Sequence, residues 1–127
     1  MSARPIKFRV RNGSEVLGYE ELRKGKWHYR RADEKDWYLG TFSAGQRDQY
    51  TGLKDKNGVE IYEGDILGMV HKKHGLQNTK VVVWDNTHAC FDWEDANGDS
   101  WPDGFTGFYD EYQIIGNVHQ NPEPVAA

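Results

Sequence analysis

Short segments in which apolar and polar residues alternate, separated by glycine-containing turns, recur along the whole chain. In the first of them Ile6, Phe8 and Val10 alternate with basic side chains, and the segment ends at Asn12-Gly13. Such alternation places apolar side chains on one face of a β-strand, and Asn-Gly favours a tight turn. With no sustained helical period, we predict a mainly β fold: a small antiparallel, partly open β-barrel or two packed meanders, with at most one short helix.

The segment between Ser14 and Gly25 is the one place where we expect that helix. Ser14 is a suitable cap and Gly25 a suitable stop for one or two helical turns, although Gly18 interrupts the pattern. The prediction is therefore a single short helix between two strands.

Residues 49–67, with the sequence QYTGLKDKNGVEIYEGDIL, combine two short strands with two turns. The Asn57-Gly58 pair forms the apex of the first turn in this interpretation. In the second turn Gly64 provides backbone freedom, and Asp65 accepts hydrogen bonds from nearby backbone donors. We therefore assign structural roles to Asn57, Gly58, Gly64 and Asp65.

The length of 127 residues fits one domain. We place it at residues 1–122, with a possible division into 1–45 and 46–122, and treat 123–127 as a flexible tail. Ile, Leu, Val and Phe together supply only 25 residues, whereas five Trp and seven Tyr can bury much additional apolar area. We expect an aromatic-rich core.

Cellular location follows from the single cysteine and the absence of long apolar runs. Cys90 alone cannot form an intramolecular disulfide or a zinc site that requires two thiolates. No segment approaches the roughly 20 apolar residues that span a bilayer, and the first residues do not resemble a signal peptide. We expect a cytoplasmic protein that does not contact membranes.

Charge is divided unevenly along the chain. Residues 1–50 carry 11 basic against 7 acidic side chains, residues 51–127 carry 5 against 13, and no basic residue follows Lys80. A nucleic acid would be repelled by the second half and could be met only by the first. The two halves also complement each other, and open strand edges favour pairing, so we expect a homo-oligomer.

Three segments resemble the signature blocks of the YopX family, small proteins of bacteriophages and prophages. They are IKFRV near the start, QYTGLKDKNGVEIYEGDIL in the middle and IIGNVHQNPE near the end, and the similarity extends over residues 5–123. The linking segments, 11–47 and 71–112, depart from the pattern. The resemblance implies a β-rich fold and the cytoplasm of a bacterial host, and it implies no reaction or catalytic residues.

Several constellations of potential metal ligands or nucleophiles fall short of a complete site. Asp95, Asn97 and Asp99 begin like a calcium loop, but Ser100 and Thr106 stand where its glycine and glutamate belong. The pairs His71/His74 and His88/Cys90 lack further ligands or an orienting acid. A two-metal hydrolase site would be formed by Asp85, Asp92, Asp95 and Asp99, without a nearby lysine. We therefore predict no metal, no cofactor and no enzymatic activity, and keep a metal-dependent hydrolase as the third hypothesis.

The leading hypothesis is a non-catalytic phage or prophage accessory protein that binds a macromolecule, most simply a host or phage protein. Its binding residues would combine acidic charge with exposed aromatic rings: Trp84, Trp93, Asp95, Asp99, Trp101 and Asp103. The alternative is nucleic-acid binding through the N-terminal half, where cations and stacking rings are interspersed: Lys24, Lys26, Trp27, Arg30 and Arg31.

Overall fold

The structure, a computed structural model, describes residues 5–71, 73–87, 89–94 and 112–120. Within these ranges the chain forms strands joined by turns and no helix, which confirms the mainly β prediction. The strands are β1 (Lys7–Asn12), β2 (Glu15–Arg23), β3 (Lys26–Arg31), β4 (Tyr38–Leu39), β5 (Gln46–Lys54), β6 (Glu60–Tyr62), β7 (Asp65–His71), β8 (Gly75–Asp85), β9 (Cys90–Glu94) and β10 (Gln113–Asn117).

The strands are divided between two antiparallel sheets that do not close into a barrel in the described part of the chain. The first sheet has the order β4-β3-β2-β1-β5-β6, and the second has the order β10-β7-β8-β9. Most neighbours in the sheets are also neighbours along the chain, as expected of meanders. The exceptions are β1 with β5 and β7 with β10, which each bring distant segments together.

The predicted helix between Ser14 and Gly25 is wrong, because Glu15–Arg23 forms strand β2. This strand pairs with β1 on one side and β3 on the other. The pairing in these two ladders outweighs the helix propensity of the residues in its sequence. Gly18 suits the strand, since a Cβ atom at this position would overlap the carbonyl group of Arg30 on β3. The glycine therefore allows close packing of the two backbones.

Aromatic and aliphatic side chains share the main core, which lies around β6 and the second sheet. The rings of Trp93 and Tyr112 have centroids 5.1 Å apart. Buried with them are Ile61, Leu67, Val82 and Phe91, and Leu53, Met69 and Ile114 pack against this cluster. The expected aromatic contribution to the core is thus present.

Residues 63 and 64 form the junction where the first sheet passes into the second. The backbone N–H of Gly64 donates to the carbonyl of Val82 at 2.8 Å, and the N–H of Val118 donates to the carbonyl of Gly64 at 2.9 Å. Gly64 has φ +88°, and a Cβ atom there would lie 3.0 Å from Nε2 of His119. The boundary between the two sheets falls here, between β6 and β7.

The turn predicted at Asn57-Gly58 is present and is organised by Asp55. Gly58 has φ +80°, as the turn requires. One carboxylate oxygen of Asp55 accepts hydrogen bonds from the backbone N–H groups of Asn57 and Val59, each at 2.9 Å. The other accepts from the N–H of Ile114 at 2.9 Å, which ties the turn to the second sheet.

Candidate functional site

A buried ionic network lies beside the junction between the sheets. Arg9 on β1 donates from Nη1 to Oδ1 of Asp65 at 2.6 Å and from Nε to Oδ2 of Asp48 at 3.0 Å. The three side chains are at most 8% exposed. Buried charges of this kind are tolerated when each is paired and hydrogen-bonded, so Arg9 connects β1, β5 and β7.

Asp65 accepts a backbone hydrogen bond, as the sequence predicts, and it also pairs with Arg9. Its Oδ2 accepts the backbone N–H of Tyr62 at 2.8 Å across the junction turn. Burial, with a smaller contribution from the nearby Asp48, raises the pKa of Asp65, and the charge of Arg9 and the hydrogen bonds offset this only in part. Burial opposes the charge of Arg9 too, but two carboxylates outweigh it and raise the pKa of the guanidinium. The network is therefore centred on the arginine.

Asp48 is shared by three basic side chains. Besides Arg9 it accepts from Nε of Arg11 at 3.1 Å, and its Oδ1 lies 3.2 Å from Nε2 of His119. Nε2 of His119 is buried and makes no hydrogen bond, so its close contact with Asp48 does not have hydrogen-bond geometry. Burial, assisted by Arg11 and Arg9, lowers the pKa of His119 despite the attraction of Asp48.

A second feature is an array of cations around an indole ring on one face of the first sheet. The Trp37 ring centroid lies 4.3 Å from Cζ of Arg23 and 5.6 Å from both Cζ of Arg30 and Nζ of Lys7. Tyr19 belongs to the same face, with Arg30 at 4.9 Å and Lys7 at 5.8 Å from its centroid. We call these five residues, Lys7, Tyr19, Arg23, Arg30 and Trp37, the cation–aromatic face.

Strand register and one backbone contact create this face. Tyr19 on β2 pairs with Arg9 on one side and Arg30 on the other, so these side chains point the same way. Nη1 of Arg30 donates to the carbonyl of Glu34 at 2.7 Å, which holds the connection leading to Trp37 against the sheet. Among the described residues, no carboxylate lies within ion-pair distance of Arg30.

Two clefts flank these features. The first, of about 290 Å³, continues from the cation–aromatic face toward β10, and its wall includes Tyr19, Arg30, Glu60, Tyr62, Asn117 and Gln120. The second, of about 540 Å³, adjoins the ionic network, and its wall includes Arg11, Arg47, Asp48, Glu63, Trp84 and His119. The arginines of the second cleft bind Asp48 and Glu20, whereas Arg30 in the wall of the first has no carboxylate partner among the described residues.

A sequence profile described as YopX protein matches residues 9–125. The chain belongs to the YopX family. The match includes the central segment, the junction and every member of the ionic network, and it confirms the resemblance seen in the sequence. No curated protein matches this YopX chain at a significant level. The family description names no ligand or reaction, so function has to be argued from the site itself.

The alternative nucleic-acid residues of this YopX-family chain are split between the two faces of β3. Lys26 and Arg30 lie on the side of the cation–aromatic face, and Lys24 occupies the adjoining turn with φ +50°. Trp27 and Arg31 point to the opposite side, where the Trp27 ring packs 5.9 Å from that of Phe8. The indole beside the cations is instead Trp37. Strand parity was the signal that could have separated Trp27 from Arg30.

Of the residues predicted to bind a basic partner, the structure describes Trp84 and Trp93. Trp84 on β8 is 38% exposed, and its ring meets Phe91 edge-on at 5.1 Å. Trp93 is 6% exposed and belongs to the core. Asp95, Asp99, Trp101 and Asp103 lie outside the described residues. Within the described ranges, this surface is represented by Trp84.

The candidate metal ligands and nucleophiles that lie within the described residues do not converge on one site. Asp92 is buried and accepts the backbone N–H of Trp93 at 2.8 Å, while Asp85 accepts that of Thr87 at 2.9 Å. His74 and Cys90 are exposed. His88 and the calcium-like segment beginning at Asp95 lie outside the described residues, as does the side chain of His71. The described residues contain no group of three or more His, Cys, Asp or Glu arranged around a common point.

Proposed function

We propose that this YopX-family protein is a non-catalytic module that binds a polyanionic macromolecule through its cation–aromatic face. The observation that carries the proposal is the arrangement of Lys7, Arg23 and Arg30 within 5.6 Å of the Trp37 ring centroid. Cations that line an aromatic surface provide charge and a stacking plane together, which is the combination used to bind nucleic acids.

The charges near this face support the same conclusion. Lys24 and Lys26 are exposed at the turn of the β2–β3 hairpin, beside this face. Arg23 has a single ion pair, to Glu21 at 3.3 Å, and its side chain is 40% exposed. An exposed pair of this kind contributes about 0–1 kcal/mol, so a phosphate can replace the carboxylate at little cost. The excess of acidic residues begins after residue 50, whereas β1–β4 lie before it.

A binding test can use charge reversal at one exposed lysine with a matched control. Lys26→Glu reverses a charge beside Arg23, and Lys56→Glu makes the same change at an exposed position of the turn at residues 55–58. We expect retention on heparin and binding to duplex DNA at low salt, both weakened several-fold by Lys26→Glu and little changed by Lys56→Glu. Equal effects of the two variants would contradict the assignment of the face.

The proposal that the module is non-catalytic has its own support and test. The interior carboxylates described here are engaged, Asp48 and Asp65 by Arg9 and Asp92 by a backbone N–H. We expect purified protein to show no nuclease, protease or phosphatase activity with added magnesium, manganese or zinc. A metal-dependent turnover that disappears in Asp92→Ala would support the hydrolase hypothesis instead.

A second candidate function is recognition of a host or phage protein through Trp84, the exposed indole on the second sheet. We place either activity in the cytoplasm of a bacterial host, during infection or lysogeny. Affinity capture from a host lysate with the wild type and with Trp84→Ser tests this candidate. A specific protein captured by the wild type alone, and insensitive to Lys26→Glu, would favour it.

A further inference from the structure

We propose that the cation–aromatic face binds a single-stranded nucleic acid and places one nucleobase in the 290 Å³ cleft between Tyr19 and β10. This inference rests on the proposed function, which requires only that the face bind a polyanion. It adds that the bases are recognised as well as the phosphates, and that a duplex is the weaker ligand.

A continuous series of rings leads from the rim of the face into the cleft. Arg30 lies between Trp37 and Tyr19, and the Tyr19 ring lies 5.8 Å from that of Tyr62. Tyr62 in turn lies 5.5 Å from Tyr50. Tyr62 and Tyr50 are buried, whereas Tyr19 and Trp37 are partly exposed. The accessible members at the open end therefore form the stacking surface, and of the buried members Tyr62 lines the cleft.

The cleft offers polar groups suited to the edge of a base. Its wall includes the amides of Asn117 and Gln120 and the carboxylate of Glu60, to which Nζ of Lys7 and the hydroxyl of Tyr62 donate at 2.9 and 3.0 Å. Nδ2 of Asn117 donates to Oε1 of Gln120 at 3.0 Å, and Nε2 of Gln120 donates to the carbonyl of Ser14 at 3.0 Å. These bonds fix both amide groups in position, and Oδ1 of Asn117 also accepts the backbone N–H groups of His119 and Gln120. The exposed amide of Gln120 keeps further donor and acceptor capacity. Amide and carboxylate groups are the side chains that pair with base edges.

The geometry favours a single strand over a duplex for a simple reason. A base can enter a cleft of this size only if it is unstacked and unpaired, and in a duplex its pairing edge is occupied. The phosphates on either side can meanwhile reach Arg23 and Lys26, which adjoin each other across β2 and β3 at the rim. Single-stranded binders combine a cationic track with ring stacking in this way.

The experiment compares three probes by fluorescence anisotropy: a labelled oligothymidine, a labelled duplex of the same length, and heparin as a competitor without bases. We expect the oligothymidine to bind about tenfold tighter than the duplex. Trp37→Leu should lower oligothymidine affinity about tenfold, by loss of stacking, and leave duplex and heparin binding nearly unchanged. Trp37→Phe should retain most of the affinity. Trp84→Leu removes a partly exposed indole from the second sheet and should change none of the three.

Circular dichroism and thermal melting of each variant show whether the fold is retained, and Trp37→Phe serves if Trp37→Leu unfolds. Equal affinity for the single strand and the duplex would overturn the inference, as would equal losses for all probes in Trp37→Leu or none for the single strand. In those cases the proposed polyanion binding would still stand. If oligothymidine, duplex and heparin all fail to bind at low salt, the proposed function fails as well.

Discussion

Arg9 and Asp65 are 56 positions apart in sequence, and their side chains meet at 2.6 Å in the interior. The contact connects the first strand of one sheet to the first residue of the other. Asp48 on β5 holds the same guanidinium from a second side. The network therefore fixes the position of three strands at the junction, and its loss should affect the whole fold and not one hairpin.

Arg9→Met should be strongly destabilising. Removal of the guanidinium leaves two carboxylates, each with a side chain no more than 5% exposed, close together without their central cation. Breaking a buried pair in this way typically costs about 3–5 kcal/mol, and we expect a loss of that size in the free energy of unfolding, measured in urea.

Arg23→Met is the control for that measurement, because its partner Glu21 is on the surface and the pair is partly exposed. Its cost should not exceed about 1 kcal/mol. Similar losses for the two arginines would show that burial of the Arg9 network is not what stabilises the junction.

Two glycines with similar backbone angles should differ in their tolerance of alanine. Gly58 has φ +80° and nothing within 4 Å of an added Cβ atom, so Gly58→Ala should cost only backbone strain, about 1–2 kcal/mol. Gly64→Ala adds a contact of 3.0 Å with His119 to the same strain and should cost more. Thermal melting of both variants gives the comparison. A smaller loss for Gly64→Ala would contradict the packing described at the junction.

Glu20 should make stability sensitive to acid. Burial opposes its ionisation, but hydrogen bonds from Arg47 and from the backbone N–H of Phe42 outweigh burial and hold the pKa of Glu20 below its usual value. This stabilisation is complete above the unfolded value of about 4.3 and is lost as the pH falls through the lower folded pKa.

Melting curves of the wild type and Glu20→Gln, recorded from about pH 7 to about pH 2, test this dependence. The wild type should be the more stable at neutral pH, and its advantage should shrink in acid. An advantage that is independent of pH would show that the charge of Glu20 is not responsible.

Self-association should involve the β4 edge of the first sheet. Tyr38 and Leu39 are 47% and 67% exposed there, and an open edge presents unpaired backbone groups to a second copy. We expect light scattering to give more than the monomer mass at high micromolar concentration, and Leu39→Lys to reduce it. Val59→Lys, an exposed aliphatic position before β6 at the other edge, is the matched control. A monomer at all concentrations would contradict the prediction.

The sequence was most informative where structure depends on neighbouring residues. Alternation in residues 6–10 and the Asn57-Gly58 turn both act over a few positions, and both predictions hold. The local pattern of Glu15–Arg23 favours helix, whereas the structure has a strand whose two ladders are formed with strands that the local pattern does not contain. Tertiary pairing decided the outcome.

The candidate site was harder to predict for the same reason. The sequence predicts that Asp65 accepts a backbone hydrogen bond, since the donor Tyr62 is three residues away, but it does not predict the ion pair with Arg9. The position of Trp27 among cations in the sequence favours this ring, yet in the structure Trp37 is the ring that contacts them. The position of Trp37 beside the cations depends on the hydrogen bond from Arg30 to the carbonyl of Glu34, and no local motif predicts such a contact.

The hydrogen bond from Val118 to the carbonyl of Gly64 also bears on how the chain is made. All six strands of the first sheet have left the ribosome once Tyr62 has emerged, so this sheet can pair during translation. The second sheet can be completed only about fifty residues later, because β7 pairs with β10 and residues 113–117 of β10 are synthesised last. Until then the edge of β7 is open, and this interval is when a nascent chain is most exposed to wrong pairing with other chains.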